Sequence, residues 1–472
     1  EYDDPNNPKQ IGQDMLPGSY QTMAKMMKTA GYNVAYKGKF HLNKPIRFFE
    51  NLDNGSFMDR KTPLEEHSYI KGQLYWSESD VEHIADRYGF DEWNYPDAGD
   101  DAAVYNFGGG RINNDGRFVD GHGHSARYKD EIPLKDKIES SAVSYIKNYK
   151  KNHREKPFFL VVSLVNPHDV LSYPGTGKAI VNENGKKIPR YKYAGYYDKD
   201  FDSIKVDLPK TVHELLDTKP SVQKAWKELC QAVGPIQTKE EAEKYLQFYA
   251  HLTSVVDQEI LKVLNALDDA NLTEETLIVR ISDHGDMAMA HGMQRQKMYN
   301  VYRESLNVPM IFSNPKAFKS AKTTEALAGL IDLMPTMAAI VGIDSKQWTF
   351  QGRSLLPVIQ NPKNEVQDYL HFTYDDDYAT TLDPQNMGAT HIRCIVEKNW
   401  KYAVYFDPNY GNPVEYEMYN LTIDVEESRN LAHAKHATDA TRKEQQRLHH
   451  RLMKIMKELG TTPDSIVWPE TF

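Results

Sequence analysis

The sequence predicts an α/β protein, a sheet sandwiched by helices, with a small α+β subdomain at its C-terminal end. Three observations carry that reading. Short apolar runs such as "KPFFLVVSLV" alternate with helical patterns, as strands covered on both faces require. Loops rich in Asp, His, Lys and Gly follow those runs. Past residue 365 the pattern turns to period-two alternation in "DYLHFTYDD", "THIRCIVEKNWKYAVYF" and "EYEMYNL", closed by one amphipathic helix. The expected domains are therefore residues 1–365 and an antiparallel-sheet-plus-helix subdomain at residues 366–472.

In chain order, Ser19 is placed to cap a helix whose Met23, Met27 and Ala30 fall at i, i+4 and i+7. Gly31 suits the left-handed position after it. "YNVAYKG" reads as a strand, and about 45 to 130 as loops. The helical "KDKIESSAVSYIKNYKKN" leads into an apolar run from Phe158 to Val165, bounded by Pro157 and Pro167. The span from about 172 to 240 reads as an irregular insertion rich in Tyr and Lys. A long helix follows, with Leu252, Val255, Val256, Ile260, Val263, Leu264 and Leu267 as its apolar stripe. Then come the strands "TLIVRIS" and "NVPMIFSNP", the helical "TTEALAGLIDLMPTMAAIVGI", and the final helix "TRKEQQRLHHRLMKIMKELG".

Composition narrows the function. The 472 residues carry a formal net charge of -10, which argues against nucleic-acid binding. An anionic substrate would have to be met by local lysines. No run of apolar residues is long enough to predict a membrane span. No secretory leader pattern is visible, so periplasmic, secreted and cytoplasmic locations all stay open. Two cysteines, Cys230 and Cys394, exclude a disulfide framework and are expected as buried thiols.

Four chemical clusters follow predicted strands, where ligands collect in α/β sheets. The first is Lys37, Lys39 and His41. In an extended segment these share one face while Phe40 turns to the core. An ammonium beside an imidazole can bind an anionic oxygen and move a proton. The second is His168 with Asp169, suited to a general acid. The third is Asp283, His284 and Asp286 in "SDHGD", whose oxygen and nitrogen donors suit a divalent cation. The fourth is Lys297. His291 is expected at the rim of such a site. Each has a plainer alternative: exposed polar residues on an edge strand for Lys39 and His41, loop closure for His168, a helix cap for Asp283 and a solvated lysine for Lys297. Convergence of all four is what raises the functional reading.

"AGYNVAYKGKFHL" resembles the sulfatase signature G-Y-x-T-x-x-x-G-K-W-H-L, with Asn33-Val34 and Phe40 as departures. "KPFFLVVSLVNPHDV", "LTEETLIVRISDHGDMAMAHG", "KMYNVYRESLNVPMI", "GRSLLPVI" and "YEMYNLTIDVEESRNLA" resemble further family segments in the family's order. The resemblance implies an alkaline-phosphatase-like fold. It also implies hydrolysis of a sulfate monoester, on a small molecule or a carbohydrate, with a formylglycine nucleophile and one divalent ion. Calcium is the usual ion, with manganese or magnesium as alternatives. Under it, Asp283 and His284 would bind the metal, and Lys39 and Lys297 the sulfate, with His168 and His291 beside the substrate. His168 would protonate the leaving group, and His41 would take the proton as the covalent intermediate collapses. His284, where many relatives carry Asn, keeps a phosphodiester or phosphonate monoester hydrolase of the same superfamily as the alternative. An inactive anion-binding relative is the non-enzyme alternative.

The family also needs a strand ending in an Asp pair, followed by C-x-P-S-R or its serine form. Cys230 is followed by Gln-Ala-Val and Cys394 by Ile-Val-Glu, so neither fits. "EYDDPNNP" stands too near Gly31 to leave room for a nucleophile segment and its helix. The nucleophile is therefore expected on a missing N-terminal segment or a separate chain. The strand that carries it would be central in the sheet, and its loss would bare ladder groups and apolar faces. Residues 1–472 expressed alone are accordingly expected to give no sharp thermal transition, and a sharp cooperative melt by calorimetry would contradict this.

Overall fold

A short helix, α1 (Met23–Thr29), delivers the chain into strand β1 (Asn33–Gly38). The computed structural model describes residues 16–40, 42, 49–51, 56–58, 84–93, 141–152, 155–174, 180–181, 187–188, 198–375, 387–408 and 411–463. The cap of α1 is Thr22, whose Oγ1 accepts from Lys25 N at 3.2 Å; the expected Ser19 lies one turn earlier. Gly31 takes the left-handed conformation, φ +87°, as a residue closing a helix does. Ala24, Met26 and Met27 bury the inner face of α1.

Helix α2 (Ala142–Asn152) leads to β2 (Phe158–Ser163), which pairs in parallel with β1. The register runs from Asn33 opposite Phe158 to Gly38 opposite Ser163, so both carboxyl ends stop level. Tyr145 and Tyr149 of α2 pack edge-on against Phe158, at ring separations of 6.3 and 4.9 Å. The run from Phe158 is only partly buried, where its sequence predicts cover on both faces. Among the described residues its strand partner is β1 alone.

The chain forms two compact units. The first comprises residues 1–204 and 247–276, the second residues 205–246 and 277–472. Two helices, α3 (Ser221–Val233) and α4 (Lys239–Asp269), precede the next strand. α3 gives regular structure to part of the span expected to be irregular, and it carries Cys230. In the second unit, β3 (Ile278–Ile281) pairs with β4 (Met310–Ser313) in antiparallel fashion. The helix expected from Thr323 onward shortens to α5 (Leu333–Val341).

The C-terminal sheet matches its alternating sequence. Strands β5 (Leu370–Tyr374), β6 (His391–Val396), β7 (Trp400–Phe406) and β8 (Glu415–Asn420) form an antiparallel sheet in the order β8-β7-β6-β5. Period-two alternation sends its side chains to two cores. Ile395, Tyr402, Val404 and Met418 meet Leu448, Leu452, Ile455 and Met456 of the last helix, α6 (Asp439–Leu459). Ile392, Cys394, Ala403 and Tyr405 turn the other way, onto Val222 of α3 with Tyr299 and Val301. Thr438 caps α6 and Gly460, φ +68°, ends it. Among the described residues no helix is long and apolar enough to cross a membrane.

One buried carboxylate organises the second core. Glu417 has no exposed surface. It accepts from the hydroxyls of Tyr419, Tyr302 and Tyr405 at 2.6, 3.1 and 2.6 Å, and from Gln223 Nε2 at 3.0 Å. Four donors satisfy the charge that burial strips of water.

At the end of β1, Gly38 adopts φ +115°, and a Cβ there would lie 2.0 Å from the carbonyl oxygen of Ser163. Gly31 has the same backbone requirement but open space around it. Gly31→Ala should cost only the left-handed backbone term, about 1–2 kcal/mol. Gly38→Ala should cost clearly more, because β2 must also move. Limited proteolysis ranks the two variants, and equal resistance would contradict the close approach.

Candidate active-site residues

In the first unit the level ends of β1 and β2 place two expected residues on adjoining turns. Lys39 N donates to Ser163 O at 3.1 Å, and Tyr36 Oη donates to Lys39 O at 2.6 Å. Phe40 anchors the segment in a cluster with Tyr36, Tyr88, Phe90 and Trp93, at ring separations from 5.2 to 6.3 Å. Lys39 itself is half-buried. After β2 the chain crosses a cis Asn166–Pro167 bond into a 3-10 turn (His168–Ser172). His168 opens this turn, half-buried, with its N–H donated to Val165 O at 3.2 Å. His41 lies outside the described residues, as does the side chain of Asp169.

The structure separates the two lysines that spacing alone leaves equivalent. Lys37 is 4% exposed, with Nζ 5.8 Å from the centre of the Tyr145 ring on α2. Burial pulls its pKa down to about 8, with the Glu92 carboxylate opposing. Lys37 is thus part of the packing between β1 and α2. The left-handed Gly38 interrupts the strand's alternation, so Lys39 is freed from the face Lys37 occupies.

In the second unit, Asp283 and His284 follow β3 directly, with Asp283 Oδ2 3.3 Å from His284 Nε2. Asp283 is 84% exposed. His284 Nδ1 lies 2.7 Å from the carbonyl oxygen of Gly285, which can only accept. The ring proton therefore sits on Nδ1, and Nε2, the unprotonated nitrogen, faces the carboxylate. That is the tautomer a metal ligand needs. Gly285 is required by close approach: its N–H donates to Ser305 O at 2.9 Å, and a Cβ would come 1.8 Å from Glu304 O. Among the described residues no group of three or more His, Cys, Asp or Glu side chains is arranged to hold a metal ion. Asp283 and His284 fit a divalent ion in donor chemistry.

Lys297 reaches this neighbourhood by a folded-back loop. Asp286 is the buried knot of that loop, accepting from Ala288 N at 2.7 Å, Gln296 N at 3.1 Å and Tyr245 Oη at 3.1 Å. Desolvation pushes its carboxyl up to about 6, against the pull of those hydrogen bonds and of Lys297. Met287 N donates to Gln296 O at 2.8 Å and Met289 N to Gln294 O at 2.9 Å, which closes the loop on itself. Lys297 follows Gln296 and is half-buried.

His291, expected at a rim, instead has no exposed surface. Its Nδ1 lies 2.6 Å from Glu214 Oε2, and its ring stacks on Tyr302 at 3.6 Å. Lys219, Glu214 and Glu304 complete this buried cluster. No local sequence pattern points to them, because Glu214 and Lys219 stand more than 70 positions from His291.

The structure thus sets Lys39 and His168 after two paired strands in one unit, and in the other it joins Asp283 and His284 on one turn and ties the Lys297 end of the following loop back to Asp286. Both cysteines are buried as expected. Burial pushes each thiol up to about 12, at Cys230 against the nearby Arg295 and at Cys394 against Lys401. Neither is a nucleophile at neutral pH.

A family model described as Sulfatase matches residues 4–343, and one described as N-sulphoglucosamine sulphohydrolase, C-terminal, matches residues 291–458. Arylsulfatase K of Xenopus laevis is 25% identical over 305 residues, covering 62% of this chain and 51% of that protein. The N-acetylglucosamine-6-O-sulfatase of Bacteroides thetaiotaomicron is 24% identical over 449 residues, covering 88% of this chain and 69% of that protein. The chain therefore spans about half the length of the first of these relatives. A solved structure in complex with its substrate, D-glucosamine-2-N,6-O-disulfate, superposes at TM-score 0.61 and 17% identity, covering 96% of this chain and 85% of that one. The phosphonate monoester hydrolase of Silicibacter pomeroyi does so at 0.56 and 16% identity, covering 96% and 82%. Identities this low establish a shared fold, the alkaline-phosphatase-like one. A model match over residues 4–343, on a chain with this fold and this Asp-His turn, makes the protein a member of the sulfatase family.

Proposed function

We propose that the chain carries the metal-binding and anion-binding parts of a sulfuric ester hydrolase acting on a sulfate monoester. The observation that supports this most is the turn after β3. There an exposed carboxylate and a correctly protonated imidazole stand together, and a folded-back loop delivers Lys297. Sulfated sugars are the favoured substrate class, since the relatives named above include an N-acetylglucosamine-6-O-sulfatase.

Asp283 Oδ2 and His284 Nε2 would hold one divalent ion, calcium by the habit of the family. When bound, the ion supplies positive charge opposite the sulfate oxygens, and formylglycine supplies the nucleophilic oxygen. Lys297 and Lys39 would orient the sulfate and offset its charge against a chain of net charge -10. The His168 imidazole would give its proton to the departing alkoxide, and His41 would accept one as sulfate is released. Neither cysteine of this chain has the chemistry of the nucleophile. We place that group on a segment outside residues 1–472. The domain division at residue 366 is retained as part of this proposal.

His284 supports one second reading, a phosphodiester or phosphonate monoester hydrolase. Parallel rates on 4-nitrophenyl sulfate and a phenylphosphonate ester separate the two, and a preference for the phosphonate would overturn the sulfatase reading. In catalytically competent protein, Lys297→Ala should cut kcat/KM by about 10²–10³-fold. An unchanged value would remove Lys297 from the site. Calcium at a hundred times its Kd should stabilise the native state by about 2.7 kcal/mol. Asp283→Ala should abolish that gain in a thermal shift series, and a gain that survives would place the ion elsewhere.

A further inference from the structure

The loop between Asp286 and Lys297 is costly to hold. Ala288, Met289, His291, Met293 and Gln296 all have φ between +44° and +67°, a region that side chains disfavour. Such a run persists only when the surroundings fix it. Asp286 ties the two ends of the loop. Its tip is tied by His291, a residue expected beside the substrate and found buried instead.

Every atom of His291 that can be tied is engaged or enclosed. Its N–H donates to Thr211 Oγ1 at 3.0 Å, and the next N–H, of Gly292, donates to Thr211 O at 2.9 Å. Nδ1 meets Glu214 Oε2 at 2.6 Å, while Glu214 Oε1 is paired with buried Lys219 at 3.0 Å. Nε2 faces Glu304 Oε2 at 3.6 Å, longer than a hydrogen bond, and both atoms are buried without another partner. Tyr302 covers the ring face. A Cβ on Gly292 would fall 2.6 Å from Glu214 O, so the tip cannot slide. Burial works against a charged ring here, and the hydrogen bond to Glu214 with the two facing carboxylates of Glu214 and Glu304 outweighs it, with Lys219 opposing. The ring therefore holds its proton above the ordinary histidine range.

We propose that His291 is a positioning residue: set between Glu214 and Glu304, it fixes the loop that presents Lys297, and so the aim of that ammonium at a sulfate oxygen. The proposal rests on the reading of Lys297 as a sulfate-binding group. Glu304 has a double duty in it. Its side chain faces His291, and its carbonyl oxygen abuts Gly285 beside the Asp283–His284 turn. One residue thereby links the anion-binding loop to the metal-binding turn.

The test measures affinity for inorganic sulfate, with backbone hydrogen exchange across residues 286–299, in wild type, His291→Leu, His291→Gln and Lys297→Ala. His291→Leu should weaken sulfate binding roughly tenfold, a penalty of misplacement, and speed exchange in the loop. His291→Gln, which can still donate to Glu214, should recover part of both. In catalytically competent protein the loss should fall mainly on KM. A folded His291→Leu with wild-type sulfate affinity and loop exchange would overturn the proposal, leaving His291 a core residue only. If that variant does not fold, Glu304→Gln decides, with unchanged sulfate affinity counting against. Should Lys297→Ala alone leave sulfate binding intact, the reading of Lys297 fails. The proposed aiming of Lys297 then falls with it, while faster loop exchange in His291→Leu would separately establish the pinning.

Discussion

The carboxylate of Asp286 is the tie on which the rest of the second unit's chemistry depends. It sits buried among the N–H groups of Ala288 and Gln296 and the hydroxyl of Tyr245. Those bonds close a loop whose backbone would not choose its own conformation. Without closure, Lys297 would lie fourteen residues of extended chain away from Asp283. With it, the chain returns at Gln296 to Asp286, just past the turn that carries the two expected ligands. The loop's geometry is therefore stored in hydrogen bonds to one buried carboxylate.

Around that loop the protein buries an unusual amount of charge. Glu417, Lys219, Glu214, Glu427, Lys401 and His291 are buried or nearly so, and their charges are opposed in pairs or met by hydroxyls. Breaking one partner of such a set leaves a charge without water or counter-ion, which is far costlier than losing a surface pair. The arrangement favours rigidity where Lys297 departs from the loop, between the strained tip and the antiparallel sheet that backs it. By contrast, Asp283 is exposed, and among the described residues it hydrogen-bonds Ser282 and His284 beside it. Rigid support and accessible donors are what a preorganised binding site requires.

Much of this was legible in the sequence, for reasons that are local. The β5–β8 sheet and α6 follow from alternation and helical spacing, and Gly31 and Gly460 mark helix ends by the one conformation glycine tolerates best. The candidate residues after β1, β2 and β3 stood out because strand ends in such sheets collect ligands. What the sequence could not carry is set by distance along the chain. Lys37 and Lys39 differ because α2, a hundred residues on, covers the first, and because the left-handed Gly38 breaks the alternation between them. His291 moved from rim to core because Glu214, Thr211 and Tyr302 close over it. The antiparallel pairing of β3 and β4 likewise depends on how the intervening loop folds back.

The central claim is that the turn after β3 and the loop to Lys297 form one site for a cation and a sulfate. Calcium binding measured calorimetrically, with and without saturating inorganic sulfate, tests it most directly. Two ligands of opposite charge at one site must tighten each other, and by linkage the gain is the same in either order. The account predicts tighter calcium binding in the presence of sulfate, and loss of that coupling in Lys297→Ala. Calcium affinity indifferent to sulfate would show that Asp283, His284 and Lys297 do not act together.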